Sequence, residues 1–142
     1  MNYNFYGYSN CHNIKPIIDI KINNPVELYD ILSNIWCKKT CAPRLQNEWS
    51  IDNKTLGQCS ITAFLVQDIF GGEVYGIKID DSNYHCYNLI NGIKFDLTSE
   101  QFKEKLDYSN SCIQKREAHF SKQEKYERYL YLKSELYKYL NI

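Results

Sequence analysis

Three side chains in this sequence are of the types that together perform nucleophilic acyl chemistry: Cys59, His85 and Asp96, separated by 26 and 11 positions. A cysteine attacks a carbonyl carbon as its thiolate. An imidazole takes the thiol proton and later returns it to a leaving group, and a carboxylate on the other ring nitrogen fixes tautomer and orientation. Cys59 follows Gly57-Gln58 and opens the apolar segment Ile61-Thr62-Ala63-Phe64-Leu65-Val66, which runs on to Phe70 and is closed by Gly71-Gly72. Its length and terminal glycines predict a largely buried helix with Cys59 at its N-terminus. There the unpaired backbone N–H groups and the helix dipole favour thiolate over thiol.

The other two residues need a sheet. Three short runs, 73–79, 83–90 and 93–98, are separated by Asp80-Asp81-Ser82 and by Asn91-Gly92 and read as an antiparallel meander. Asn-Gly is the strongest short-range hairpin signal, and a two-residue turn there sets Ile90 opposite Ile93, Tyr87 opposite Asp96 and His85 opposite Thr98. His85, Tyr87, Asp96 and Thr98 then share one face, with His85 and Asp96 on a diagonal of about 7–8 Å. Cys86, Asn88, Ile90, Ile93, Phe95 and Leu97 form the opposite, mostly apolar face, for which the C-terminal helix or the N-terminal arm offers cover. A sheet face carrying His and Asp costs desolvation unless they pair or face a cleft. The plainer alternative is a buried small thiol and a structural histidine. Acyl chemistry also needs oxyanion donors. The backbone N–H of Cys59 is the simplest, with Gln58, or Gln46, Asn47 or Trp49 from the preceding loop, as side-chain candidates and Tyr87 as a further cleft residue.

Around this core, residues 1–24 read as an arm with one strand over 15–22, and Asn24-Pro25 starts an amphipathic helix over 25–37. The stretch 38–56 is a loop long enough to suggest a functional role, flanked by Trp36 and Trp49. A short helix over 99–106 and a long amphipathic helix over 115–140 follow, the latter with a Tyr and Leu stripe expected to pack on the sheet. The organisation is one domain over 1–142, with arm 1–24, core 25–106 and helical segment 107–142. Seventeen basic side chains balance 17 acidic ones, which leaves no electrostatic footprint for nucleic acid or an anionic membrane. No apolar run approaches the roughly 18 residues of a spanning helix, and no secretory leader is visible, so a cytoplasmic protein with free thiols is expected. Cys37 and Cys41, even with Cys11-His12, lack the second paired knuckle of a structural zinc site, so no metal or cofactor is expected. His119 is expected to face solvent, and Cys86 to be core.

Gly57-Gln58-Cys59, Thr62-Ala63, Val66-Gln67-Asp68 and Phe70-Gly71-Gly72 form one motif block. His85-Cys86-Tyr87-Asn88, Asn91-Gly92 and Asp96-Leu97-Thr98-Ser99-Glu100-Gln101-Phe102 form a second. Together, over about residues 36 to 102, they resemble the YunG-like family of small uncharacterised bacterial proteins, with a weaker echo from Arg128-Tyr129 to Leu132. The chain departs from that pattern at Leu56, where an aromatic is usual, and at Tyr87, where Trp is frequent. The Cys, His, Asp order is similar to that of the papain and transglutaminase-like superfamily. That resemblance implies an α+β fold with the Cys helix packed on a small antiparallel sheet. It also implies a hydrolase or acyltransferase acting on an amide, isopeptide or thioester bond of a peptide or small amide through an acyl-enzyme. Two alternatives stand beside it: a non-catalytic peptide- or small-molecule-binding protein on the same fold, and a redox or metal-responsive protein built on Cys37 and Cys41.

Overall fold

Residues 4–142 are described by the computed structural model. Asn24 caps the first helix, α1 (Pro25–Leu32): its side chain accepts the Glu27 N–H at 2.9 Å, and Pro25 takes the first position, where no N–H is needed. The helix stops before residue 37 because Ser33 Oγ turns back onto the Tyr29 carbonyl at 2.8 Å and the chain tightens, Asn34 and Ile35 donating to carbonyls three residues earlier. After two single-turn segments, Lys38–Thr40 and Pro43–Leu45, comes α2 (Cys59–Phe70). It is apolar nearly all round and buried accordingly, with the sheet on one side and the C-terminal helix on the other.

Four antiparallel strands, β1 (Glu73–Lys78), β2 (Tyr84–Ile90), β3 (Ile93–Phe95) and β4 (Ser111–Ile113), are ordered β3-β2-β1-β4. Asn91 and Gly92 both have positive φ, 53° and 78°, which is the twist a two-residue hairpin turn requires. The resulting register pairs Ile90 with Ile93 and Asn88 with Phe95, as the Asn-Gly signal implies. The ladder ends at Phe95, and the Asp96 N–H instead donates to the Tyr6 carbonyl of the N-terminal arm at 2.9 Å. Asn88 Nδ2 reaches the Ala63 carbonyl of α2 at 2.9 Å, so the Cys86, Asn88, Ile90 face lies under α2. Tyr87, on the other face, packs with Ile77 and Tyr108.

Several elements differ from the sequence expectation. Residues 15–22 form no strand: Pro16 has no N–H to donate, and the Ile17 N–H is taken by the Ile69 carbonyl at the end of α2, at 2.7 Å. The 99–106 helix is one turn, Ser99–Gln101. The long C-terminal helix is two, α3 (Arg116–Phe120) and α4 (Gln123–Tyr139), because Ser121 Oγ closes onto the Ala118 carbonyl at 2.7 Å and the chain turns. Residues 107–142 also contribute β4, so that segment is not purely helical. The buried stripe of α4, Tyr129, Leu132 and Leu136, packs on α2 and not on the sheet. No helix of the described residues is long and apolar enough to cross a membrane.

One glycine controls the approach to Cys59. Gly57 has φ of 72°, and a Cβ there would lie 2.5 Å from Cys41 Sγ and 2.9 Å from the Ala42 nitrogen. Its carbonyl accepts the Ala42 N–H at 2.9 Å and its N–H donates to Gln101 Oε1 at 3.3 Å. Gly57→Ala is expected to lower unfolding free energy in urea by about 1–3 kcal/mol; an unchanged midpoint would show that the 41–42 segment yields freely.

Candidate functional site

Cys59 is the first residue of α2, and its half-buried Sγ lies 3.8 Å from the Tyr84 carbonyl, where β2 begins. At that strand end the thiol meets the first residues of both sheet faces, interacting with Cys86 on the α2 side and with His85 on the other. His85 is 1% exposed, with its ring edge-on to Phe102 at 4.7 Å and Nε2 2.6 Å from Asp96 Oδ2. Asp96 is equally buried, and both its oxygens are used twice. Oδ2 also accepts from the Tyr108 hydroxyl at 2.7 Å, and Oδ1 accepts from the Thr98 N–H at 3.1 Å and the Thr98 hydroxyl at 3.3 Å. Tyr108 is held in turn by stacking on Tyr6, ring centroids 3.8 Å apart, and by Tyr87 against its edge at 4.9 Å.

The electrostatics follow from these contacts. A hydrogen bond from the Cys86 thiol holds the Cys59 thiol well below its ordinary range; burial opposes this, and the neighbouring His85 ring reinforces it. Cys86 moves the other way, raised by that hydrogen bond and by burial. Burial depresses the His85 imidazole, but the charge and hydrogen bond of Asp96, joined by Cys59, outweigh it and lift the group to about 10. Both shifts favour the thiolate and imidazolium form of the pair. The second ring nitrogen, Nδ1, is buried without a hydrogen-bond partner, and with Nε2 on Asp96 it is the nitrogen left for the thiol.

Cys59 and His85 open on a cleft of about 900 Å³ whose walls include Leu45, Leu56, Gln101, Phe102, Gln114 and His119. The structure brings Cys59, His85 and Asp96 together, and it places the five other sequence candidates, Gln58, Gln46, Asn47, Trp49 and Tyr87, outside the cleft lining. Gln58 is fully buried, its Nε2 donating to the Cys37 carbonyl at 3.1 Å. Gln46 Nε2 donates to the Cys41 carbonyl at 3.2 Å, and Trp49 Nε1 to the Lys54 carbonyl at 2.9 Å. The Tyr87 hydroxyl, on the same sheet face as His85, is taken up by Ser111 Oγ at 2.6 Å and the Tyr108 carbonyl at 3.1 Å. Trp36 is core, its Nε1 on Thr62 Oγ1 at 3.0 Å. The Cys59 N–H, in the first helical turn, is the backbone donor beside the thiol.

Sequence reasoning missed Tyr108, Gln101, Gln114 and Lys125, and it misplaced His119. His119 does not face solvent: it is half-buried in the cleft wall, Nε2 on Gln114 Oε1 at 2.8 Å and Nδ1 accepting from Lys125 Nζ at 2.9 Å. Burial, then the Lys125 charge, pushes it down to about 4, so it is neutral at physiological pH. The break between α3 and α4 turns it inward, and no local sequence signal marks that break. Gln101 ties the site together, accepting the Gly57 N–H and donating to the Thr98 carbonyl at 3.0 Å. Cys11 and Cys41 are core thiols raised to about 11 by burial, while Cys112 is exposed.

Comparison with known proteins places the chain in a family. A family model described as YunG protein matches residues 24–141. The uncharacterized protein YunG of Bacillus subtilis (strain 168) is 32% identical over 111 residues, covering 78% of this chain and 90% of the relative. No solved structure matches. The chain belongs to the YunG family.

Two pH experiments test the site. Alkylation of Cys59 by iodoacetamide is expected to be at its plateau by pH 7 and to fall only in acid. His85→Ala should move its midpoint up toward the ordinary thiol value of 9.0 and slow the reaction at pH 7 by about tenfold; an unmoved midpoint would remove His85 from the thiol's environment. In urea unfolding, the raised His85 contributes stability that is complete below its ordinary value of 6.5 and fades as pH rises through about 10. The stability gap between wild type and Asp96→Asn should therefore narrow from pH 6 to pH 10, and a constant gap would contradict a charged pair.

Proposed function

We propose that this member of the YunG family is a cysteine-dependent acyl-transfer enzyme, in its simplest form a hydrolase of an amide, isopeptide or thioester bond. The observation that carries the reading is the division of labour between the His85 nitrogens. Nε2 is locked on Asp96 Oδ2 at 2.6 Å, while Nδ1 is a buried polar atom with no partner, beside a thiol at the head of α2. A purely structural histidine would have both nitrogens bonded, since buried polar groups are otherwise satisfied.

In this mechanism the Cys59 thiolate attacks the carbonyl carbon, a C–S bond forms and the carbonyl π pair moves to oxygen. The Cys59 N–H at the helix start stabilises that oxyanion. Collapse expels the amine or thiol, which takes the proton from His85 Nδ1 and leaves a thioester on Cys59. Water then attacks, gives its proton to Nδ1 and displaces the thiolate, returning thiolate and imidazolium with a free acid. Asp96 holds the Nε2 proton throughout and keeps the ring in place. The Cys helix over an antiparallel sheet is similar to the papain and transglutaminase-like arrangement and supports the reading. A cytoplasmic setting, where thiols stay reduced, suits six free cysteines.

The test is single-turnover acetylation with 4-nitrophenyl acetate, quenched in acid and mapped by peptide mass. The acetyl group is expected on Cys59, and His85→Ala should slow its appearance by at least about 10²-fold. Acetylation no faster at Cys59 than at exposed Cys112 would overturn the assignment.

A further inference from the structure

The acyl chemistry leaves one wall of the cleft unused. That wall is cationic: Lys122, Lys125 and Arg128 come from α4 and its cap, and Arg44 from the Pro43–Leu45 turn. Among the described residues Glu124 is the one carboxylate in the lining, and it is occupied, Arg128 Nε donating to it at 2.7 Å while Arg128 Nη1 holds the Thr40 carbonyl at 2.9 Å. Arg44, Lys122 and Lys125 therefore face the cleft with no counter-ion in its lining.

Lys125 differs from the other two because it is half-buried and oriented. Gln114 Oε1 accepts from His119 Nε2, which leaves Nδ1 as the acceptor for Lys125 Nζ. An ammonium has three donors, and a neutral imidazole satisfies one of them without cancelling any charge. Lys125 lines the same cleft as Cys59 and interacts electrostatically with it, so the ammonium lies within the field of the reacting atoms. A charge half withdrawn from water, held in one direction in the cleft of a nucleophile and paired with no carboxylate, is the form of a site whose anion arrives with the ligand.

We propose that Lys125, oriented by His119, binds a carboxylate on the acyl substrate, so that the enzyme selects compounds with a carboxylate close to the scissile carbonyl. This inference rests on the acyl-transfer reading of Cys59. A single oriented ammonium matches a monoanion, while exposed Arg44 and Lys122 at the rim draw anions toward the mouth.

Iodoacetate and iodoacetamide share a leaving group and differ in the carboxylate, so their rate ratio at Cys59, divided by the same ratio at exposed Cys112, isolates the anion effect. The iodoacetamide rate alone reads thiol activation, so failure of the acyl-transfer reading and failure of the carboxylate site are separable. The normalised ratio is expected to be about tenfold above one, to fall to one in Lys125→Gln and at high salt, and to survive in Lys125→Arg. Glutarate should slow iodoacetate at Cys59 more than equal inorganic phosphate does. A normalised ratio of one in wild type, or stronger protection by phosphate, overturns the proposal. If Cys59 resists both reagents, glutarate titration followed at the His119 ring protons decides: a saturable shift absent from Lys125→Gln supports the site, and no shift overturns it.

Discussion

The buried carboxylate of Asp96 is the constraint on which the rest of the site depends. A carboxylate removed from water is tolerated only when its lone pairs are filled, and here four donors converge on it from three parts of the chain: His85 in β2, Thr98 just after β3, and Tyr108 ten residues further on. Each donor carries a structural obligation. The Thr98 contacts bend the chain off the sheet straight after β3, so the hairpin cannot lengthen. Tyr108 must return over the His85 face, and its stacking on Tyr6 brings the N-terminal arm down as a lid on that network. The same bend releases the Asp96 N–H to the Tyr6 carbonyl, which secures the arm from a second direction.

That network is also what makes the histidine useful. With Nε2 claimed inside the fold, the imidazole has one exit for its chemistry, and the strand end where Cys59 sits is where that exit lies. α2 covers the Cys86 and Asn88 face, whereas His85 and Asp96 occupy the opposite face, so the thiol and imidazole meet around the end of β2. The Tyr84 carbonyl marks the crossing point. Cys86 acquires a role from the same geometry: a core thiol by strand alternation, it interacts with the sulfur of Cys59 and shifts it toward the thiolate.

What was legible in the sequence was local. The Asn-Gly turn sets register to the residue, because slipping a two-residue hairpin by one position would put Asp96 on the wrong face, so the facing of His85 and Asp96 follows from counting. The α2 helix was readable from its glycine bounds and apolar length. Oxyanion candidates chosen by nearness in sequence fared differently. Gln58, Gln46 and Trp49 all spend their side-chain donors on backbone carbonyls of the 37–54 stretch, which is how a loop of that length satisfies its polar groups without a ladder. Tyr108 had no local signature, since its role is defined by a carboxylate twelve residues away across an irregular segment.

The misplacement of His119 shows how a small local event decides function at a distance. An unbroken helix over 115–140 would carry His119 on its charged, outward side. The turn at Ser121 instead separates α3 from α4, lets Phe120 pack on Phe64 and Tyr129, and rotates His119 against the ring of Phe64 at 5.1 Å. Because α4 lies on α2 and not on the sheet, its N-terminal turns then pass the mouth of the cleft that α2 opens with Cys59. The amphipathic stripe of α4 thus does two things at once. Its apolar side completes the burial of α2, and its polar residues, Lys125 first among them, become the charged wall facing the thiol. Packing that stabilises the nucleophile's helix is therefore the same packing that sets the electrostatic character of what the nucleophile meets.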